Sequence, residues 1–179
     1  MDTALLGSYK AAKSAGFTNI DVYFFPCMLP LTGPSKILRN RLTALAGTGT
    51  QTTGVVCKSP KKQVTELEDY LSKHEVKAVM LWLDIEPTSG ECNSWNLGAS
   101  ANKALAKEYV SIIKSSSHKW GVYANGNQWS GMFGSRSVDI ASDLPLWAVQ
   151  FDRTPGVNTV DTFMGRWTKA YAKQYWLRK

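Results

Sequence analysis

Ala78-Val79-Met80-Leu81-Trp82-Leu83-Asp84-Ile85-Glu86-Pro87 is the stretch that decides the fold class of this chain. The apolar run Ala78 to Leu83 reads as a buried strand. Strand side chains alternate between faces at about 3.3 Å per residue, so Asp84 and Glu86 share a face with Cα atoms roughly 6.5 Å apart. Pro87 lacks an N–H and ends the strand, which puts Glu86 at its carboxyl end. Two carboxylates this close cannot both ionise without cost; one tends to hold a proton while the other stays charged. Pairs of this kind cleave glycosidic bonds, and the bland alternative is an acid pair that solvates the following loop.

Working outward, helical and strand patterns alternate. Asp2 to Ala15 carries Leu5, Tyr9 and Ala12 at helical spacing, with Gly16 as the stop. Ile20 to Phe25 predicts a strand closed by Pro26. Residues 28–56 change composition to Pro, Gly and Thr and read as an irregular insertion. Ser59-Pro60 is a helix start, with a capping hydroxyl and proline at the first helical position, and Val64, Leu67 and Leu71 form its buried stripe. A further helix spans about Ser100 to Ser115, with Leu105, Tyr109 and Ile112 inward. Strands follow at Trp120 to Ala124 and at Leu144 to Gln150, and Tyr171 to Trp176 alternates like a strand. Alternation of this sort implies an α/β protein with parallel strands and crossover helices, whose active site lies at the carboxyl ends of the strands.

At 179 residues the chain fits one domain, taken as residues 1–179, and 44% hydrophobic with 20% charged residues is the composition of a globular protein. No apolar run approaches eighteen residues, and the first residues have neither a positive region nor a long apolar core, so no membrane span or signal peptide is expected. The net charge of +7 favours an anionic partner. The basic residues are scattered and accompany no nucleic-acid motif, so no specific nucleic-acid partner is expected. Seven tryptophans can stack on sugar rings, but any single one is more often a core residue. A Cys27–Cys57 bridge would tie off the irregular segment and leave Cys92 odd. No close Cys-x-x-Cys occurs and His74 and His118 are isolated, so no metal site is expected, and both histidines read as surface residues.

The motifs Asp21-Val22-Tyr23-Phe24-Phe25-Pro26-Cys27, Trp82-Leu83-Asp84-Ile85-Glu86, Trp120-Gly121-Val122-Tyr123, Leu146-Trp147-Ala148-Val149-Gln150-Phe151 and Lys173-Gln174-Tyr175 together resemble the glycoside hydrolase family 25 lysozymes, in the form found in invertebrates and amoebae. The resemblance implies a modified TIM-like (β/α) barrel and an N-acetylmuramidase. Such an enzyme hydrolyses the β-1,4 bond between N-acetylmuramic acid and N-acetylglucosamine of peptidoglycan, in antibacterial defence or bacterial digestion. It implies Glu86 as the general acid and Asp84 as the carboxylate supporting attack by the substrate's acetamido group. Tyr23, Tyr123, Trp147, Gln150 and Gln174 match groove positions that bind substrate. No cofactor is implied, the partner is the anionic wall polymer, and the place of action is secreted or phagolysosomal.

The chain also departs from that pattern. It starts where the family's third strand approaches and diverges after Lys173-Gln174-Tyr175, so a barrel incomplete at both ends is expected, with two of four groove acids missing. Open edges of that kind expose unpaired backbone. The alternative reading is a catalytically impaired relative that binds peptidoglycan or another glycan without cleaving it.

Overall fold

The computed structural model describes residues 4–28, 57–87 and 95–177. The insertion, apart from Met28, and Cys92 therefore lie outside the described residues. The elements in chain order are α1 (Ala4–Ser14), β1 (Val22–Phe24), α2 (Pro60–Lys73), β2 (Leu81–Ile85), α3 (Ala99–Lys114), β3 (Trp120–Asn125), α4 (Gly126–Phe133), β4 (Leu146–Val149), a 3-10 turn (Val157–Thr159) and β5 (Ala172–Gln174).

The five strands form one parallel sheet in the order β1-β2-β3-β4-β5. Consecutive strands are neighbours throughout, as in a barrel wall, but among the described residues the sheet does not close. Alternation sorts the strand residues into two sets. Val22, Leu81, Leu83, Ile85, Trp120, Val122, Ala124, Leu146 and Ala148 face the large core shared with α2, α3 and α4. Met80, Trp82, Tyr123 and Val149 form a second, smaller cluster with Trp147 on the opposite face. That second face carries the candidate site. Five of the seven tryptophans are buried, which bears out the bland expectation for most of them; Trp147 is half-buried and Trp176 exposed.

Local sequence explains the helices. In α2 the Ser59 hydroxyl accepts from the Lys62 N–H at 3.4 Å, Pro60 opens the first turn, and Val64, Leu67 and Leu71 are buried. Its end is a Schellman closure: the N–H of Val76 bonds Leu71 O and that of Glu75 bonds Ser72 O, with Glu75 left-handed at φ 54°. His74 caps this end, half-buried with its ring 4.3 Å from that of Tyr70, and His118 is half-buried too, so neither is a simple surface residue. In α3 Leu105 and Tyr109 are buried as expected, while Ile113 is buried in place of Ile112, which packs only partly against the core.

The sequence reading does not anticipate α4. Asn125 caps it by accepting from the Asn127 N–H at 2.9 Å, and Gly134 ends it at φ 82°. Asn102, buried in α3, ties the two helices together. It donates to Trp95 O at 2.7 Å and Met132 O at 2.8 Å and accepts from the Leu97 N–H at 3.3 Å.

Cys27 and Cys57 form the expected disulfide, with Cα atoms 5.5 Å apart. Gln63 of α2 braces the bridge: its carbonyl accepts from the Cys27 N–H at 2.8 Å, and its amide donates to Cys27 O and Lys58 O at 3.1 and 2.6 Å. The tail of β1 is thereby fixed to the start of α2.

Candidate active site

Asp84 is the fourth residue of β2, and Glu86 follows the strand directly. Asp84 is 5% exposed, and its Oδ1 has no hydrogen-bond partner among the described residues. An unsatisfied buried carboxylate is costly when charged. Burial first, and the neighbouring Glu86 charge second, push the Asp84 carboxyl up to about 8. Glu86 is half-buried, and burial raises it as well. Both acids are therefore raised, and Asp84 is the one pushed furthest; the sequence argument expected Asp84 to stay charged. The difference arises from how deeply the small cluster buries β2, which neighbouring strands determine.

Tyr123 stands beside Asp84 in the strand register. Burial, then the charges of Glu86 and Asp84, raise its phenol far above its ordinary range, so it stays protonated. Its hydroxyl donates to Gln174 Oε1 at 2.6 Å, reaching across β4 to β5. Trp147 is next in register, and its ring lies edge-on to Tyr123 with centroids 4.9 Å apart. Asp84, Glu86, Tyr123, Trp147 and Gln174 are thus brought together.

Tyr23, on the edge strand β1, stands opposite Trp82 in the register, is 62% exposed and meets Phe25 edge-on at 6.4 Å. Gln150 is committed to the loop after β4: it donates to Asp152 Oδ2 and Thr159 O and accepts from the Asp161 N–H and the Thr162 hydroxyl. Lys173 locks the same loop, with its side chain 1% exposed and donating to Asp152, Thr154 and Thr159. Its hydrogen bond to Asp152 is the main reason that carboxyl falls to about 2.

Sequence reasoning missed the floor under the site. Trp82 is buried, its indole N–H donates to Asp21 Oδ2 at 3.0 Å, and its ring contacts those of Trp147 and Tyr171 at 5.7 and 5.8 Å. It lies across Gly121, where a Cβ would come within 2.3 Å of the ring and 2.9 Å of Pro145 O. Only glycine admits that crossing, and Gly121 opposite Trp82 was the available signal. A cavity of about 300 Å³ lined by Asp21, Tyr23, Trp82, Trp147, Ala172 and Lys173 opens on this floor. A larger one, about 780 Å³, lies between α1, β1 and α2 and is lined by neither carboxylate.

A singly wound parallel sheet with an acid pair at the end of a strand defines a protein of the α/β barrel type carrying a carboxylate-pair site. Comparison with known proteins narrows this. The family model described as Lysozyme-like protein 1 matches residues 51–175, and the chain belongs to that lysozyme-like family. It is 31% identical over 98% of its length to a probable GH family 25 lysozyme 5 and 28% identical over 98% to a probable GH family 25 lysozyme 4, both of Dictyostelium discoideum. It is also 26% identical over 98% to lysozyme-like protein 5 of Caenorhabditis elegans. The chain spans 66% of the length of each of these three relatives. No solved structure matches it.

Proposed function

We propose that this chain acts as a lysozyme, hydrolysing the β-1,4 bond between N-acetylmuramic acid and N-acetylglucosamine of bacterial peptidoglycan. The observation that carries the reading is the raised carboxylate pair on the strand face opposite the helices, beside half-buried Trp147. Between them the two acids hold one proton near neutral pH. In the open groove the more buried Asp84 keeps it. A sugar ring laid on Trp147 would cover Glu86 and strip its water, raising it in turn, so that the proton moves to the carboxyl facing the glycosidic oxygen. Asp84, then ionised, would orient the substrate's acetamido group and stabilise the positive charge it develops. Tyr123, whose one hydroxyl hydrogen goes to Gln174 Oε1, is a neutral group next to both acids whose oxygen can accept from a protonated carboxyl. The Cys27–Cys57 disulfide suits an oxidising compartment, consistent with action outside the cell or in a phagolysosome.

Clearing of a peptidoglycan suspension tests this, with Glu86→Gln as the decisive variant. Loss of its proton is expected to slow clearing by about 10²–10⁴-fold. Equal rates in wild type and variant would remove Glu86 from the acid's role. A second reading, a glycan binder that does not cleave, draws on the net charge of +7 and the exposed aromatic residues Tyr23, Tyr171 and Trp176. Retention on insoluble peptidoglycan without release of reducing sugar is its signature.

A further inference from the structure

The acid pair has a polar neighbour that neither the sequence argument nor the motifs single out. In the pairing of β2 with β3, Asp84 lies opposite Tyr123 and Ile85 opposite Ala124, so the next position along places Asn125 beside Glu86. Neighbouring strands are about 4.8 Å apart. Asn125 is extended, at φ −110° and ψ 121°, so strand alternation carries past Tyr123 and turns its side chain to the same face. Pro87 restricts Glu86 to an extended backbone as well, which keeps that carboxyl on the face it shares with Asp84.

The carboxamide of Asn125 has a fixed sense. Its Oδ1 accepts from the Asn127 N–H at 2.9 Å as the cap of α4, so the amide cannot flip without losing the cap. Its Nδ2 makes no hydrogen bond among the described residues and can only donate. We propose that Asn125 is a positioning residue for Glu86, its unpartnered amide N–H available to that carboxylate and favouring the ionised form left after the proton has been delivered. The proposal rests on the lysozyme reading for its catalytic meaning, but the placement of Asn125 beside Glu86 does not depend on it.

Among the described residues, the groups on the elements beside Glu86 are these. Asp84 comes from its own strand and Tyr123 from β3. Trp147 and Val149 of β4 and Gln174 of β5 are uncharged. Asp21 and Tyr23 of the β1 segment lie at the level of Met80 and Trp82, toward the amino ends of the strands. The Lys173 ammonium is bound within the loop after β4. The Arg136 guanidinium lies against Gly126, the residue after Asn125, and donates to Phe163 O. Both of these cations are committed to other partners, Lys173 to Asp152 and Arg136 to Phe163 O.

Two cap-preserving variants test the assignment, because Asp and Ser cap helices as Asn does. In Asn125→Asp a third carboxylate replaces the donor, and in Asn125→Ser the donor is lost without new charge. The Glu86 carboxyl is followed by carbon-13 NMR of Glu- and Asp-labelled protein, assigned with Glu86→Gln and Asp84→Asn. Its midpoint is expected to rise by about one pH unit in Asn125→Asp and by a smaller step in Asn125→Ser. The descending limb of the clearing rate against pH should rise with it, with kcat more affected than KM. A Glu86 midpoint unmoved in Asn125→Asp overturns the proposal and leaves Asn125 a helix cap alone. If no variant and no wild type clears peptidoglycan, the lysozyme reading fails, and the NMR midpoint still decides whether Asn125 acts on Glu86.

Discussion

Asp84 couples the chemistry of the site to the stability of the fold. Its carboxyl is held at about 8 in the folded chain against an ordinary value of 3.8. The folded state binds that proton more tightly than the unfolded one, so the stabilisation is full below pH 3.8 and is lost as pH rises through about 8. Asp84→Asn mimics the protonated form at every pH. It should match wild type near pH 4 and exceed it at pH 8 by about 1–3 kcal/mol, while losing clearing activity. Urea unfolding at the two pH values measures this, and a pH-independent difference would show that Asp84 is not the protonated partner. The pairing of Asp84 with Glu86 was legible in six consecutive residues, because a strand's two-residue period is local. The order of their proton affinities was not legible, since it depends on how Tyr123 and Trp147, from other strands, cover the pair. Gln150 shows the same limit: it stands one residue past the end of β4, and its loop, rather than its strand, sets its partners.

At the scale of elements, legibility followed how local each signal is. The Ser59-Pro60 start and the Val64, Leu67 and Leu71 stripe mark α2 because capping and periodicity are short-range. By contrast α4 is only eight residues long and begins directly after the last residue of β3, which caps it, so the chain gives no loop to separate them. Its signals were Asn125 before and Gly134 after Trp129, Met132 and Phe133 at helical spacing. What α4 packs against is set by Asn102, whose amide serves three backbone groups from two segments. Asn102→Ala would leave buried carbonyls of Trp95 and Met132 without a donor. A loss of about 2–4 kcal/mol in denaturant unfolding is expected. A loss under about 1 kcal/mol would mean that the two carbonyls find water or other donors.

Across the whole molecule, strand order follows chain order, so each strand pairs only with one that arrives after an intervening crossover. The alternation of patterns made the parallel sheet legible, while the division into a helix-packed face and an aromatic face emerged only from the register. The longest of these crossovers separates Phe24 of β1 from Leu81 of β2, and the Cys27–Cys57 bridge sits inside it. Closing a 30-residue loop lowers the entropy of the unfolded chain by an amount worth about 3–4 kcal/mol. It also roughly halves the effective length that must close before β1 can find β2, which favours that pairing by about 0.6 kcal/mol. β1 has three residues and, like β5 at the other edge, one neighbouring strand among the described residues, so these two strands have least to hold them locally. Hydrogen exchange on oxidised and reduced protein should therefore show the Val22 amide, bonded to Met80 O, losing protection well before those of β3. Equal loss across the sheet would mean that the bridge acts only on the unfolded chain. If β1 does open first, a thiol–disulfide equilibrium outside the acid pair sets how many strands the sheet has at a given moment, and a reducing surrounding turns a five-stranded wall into a four-stranded one.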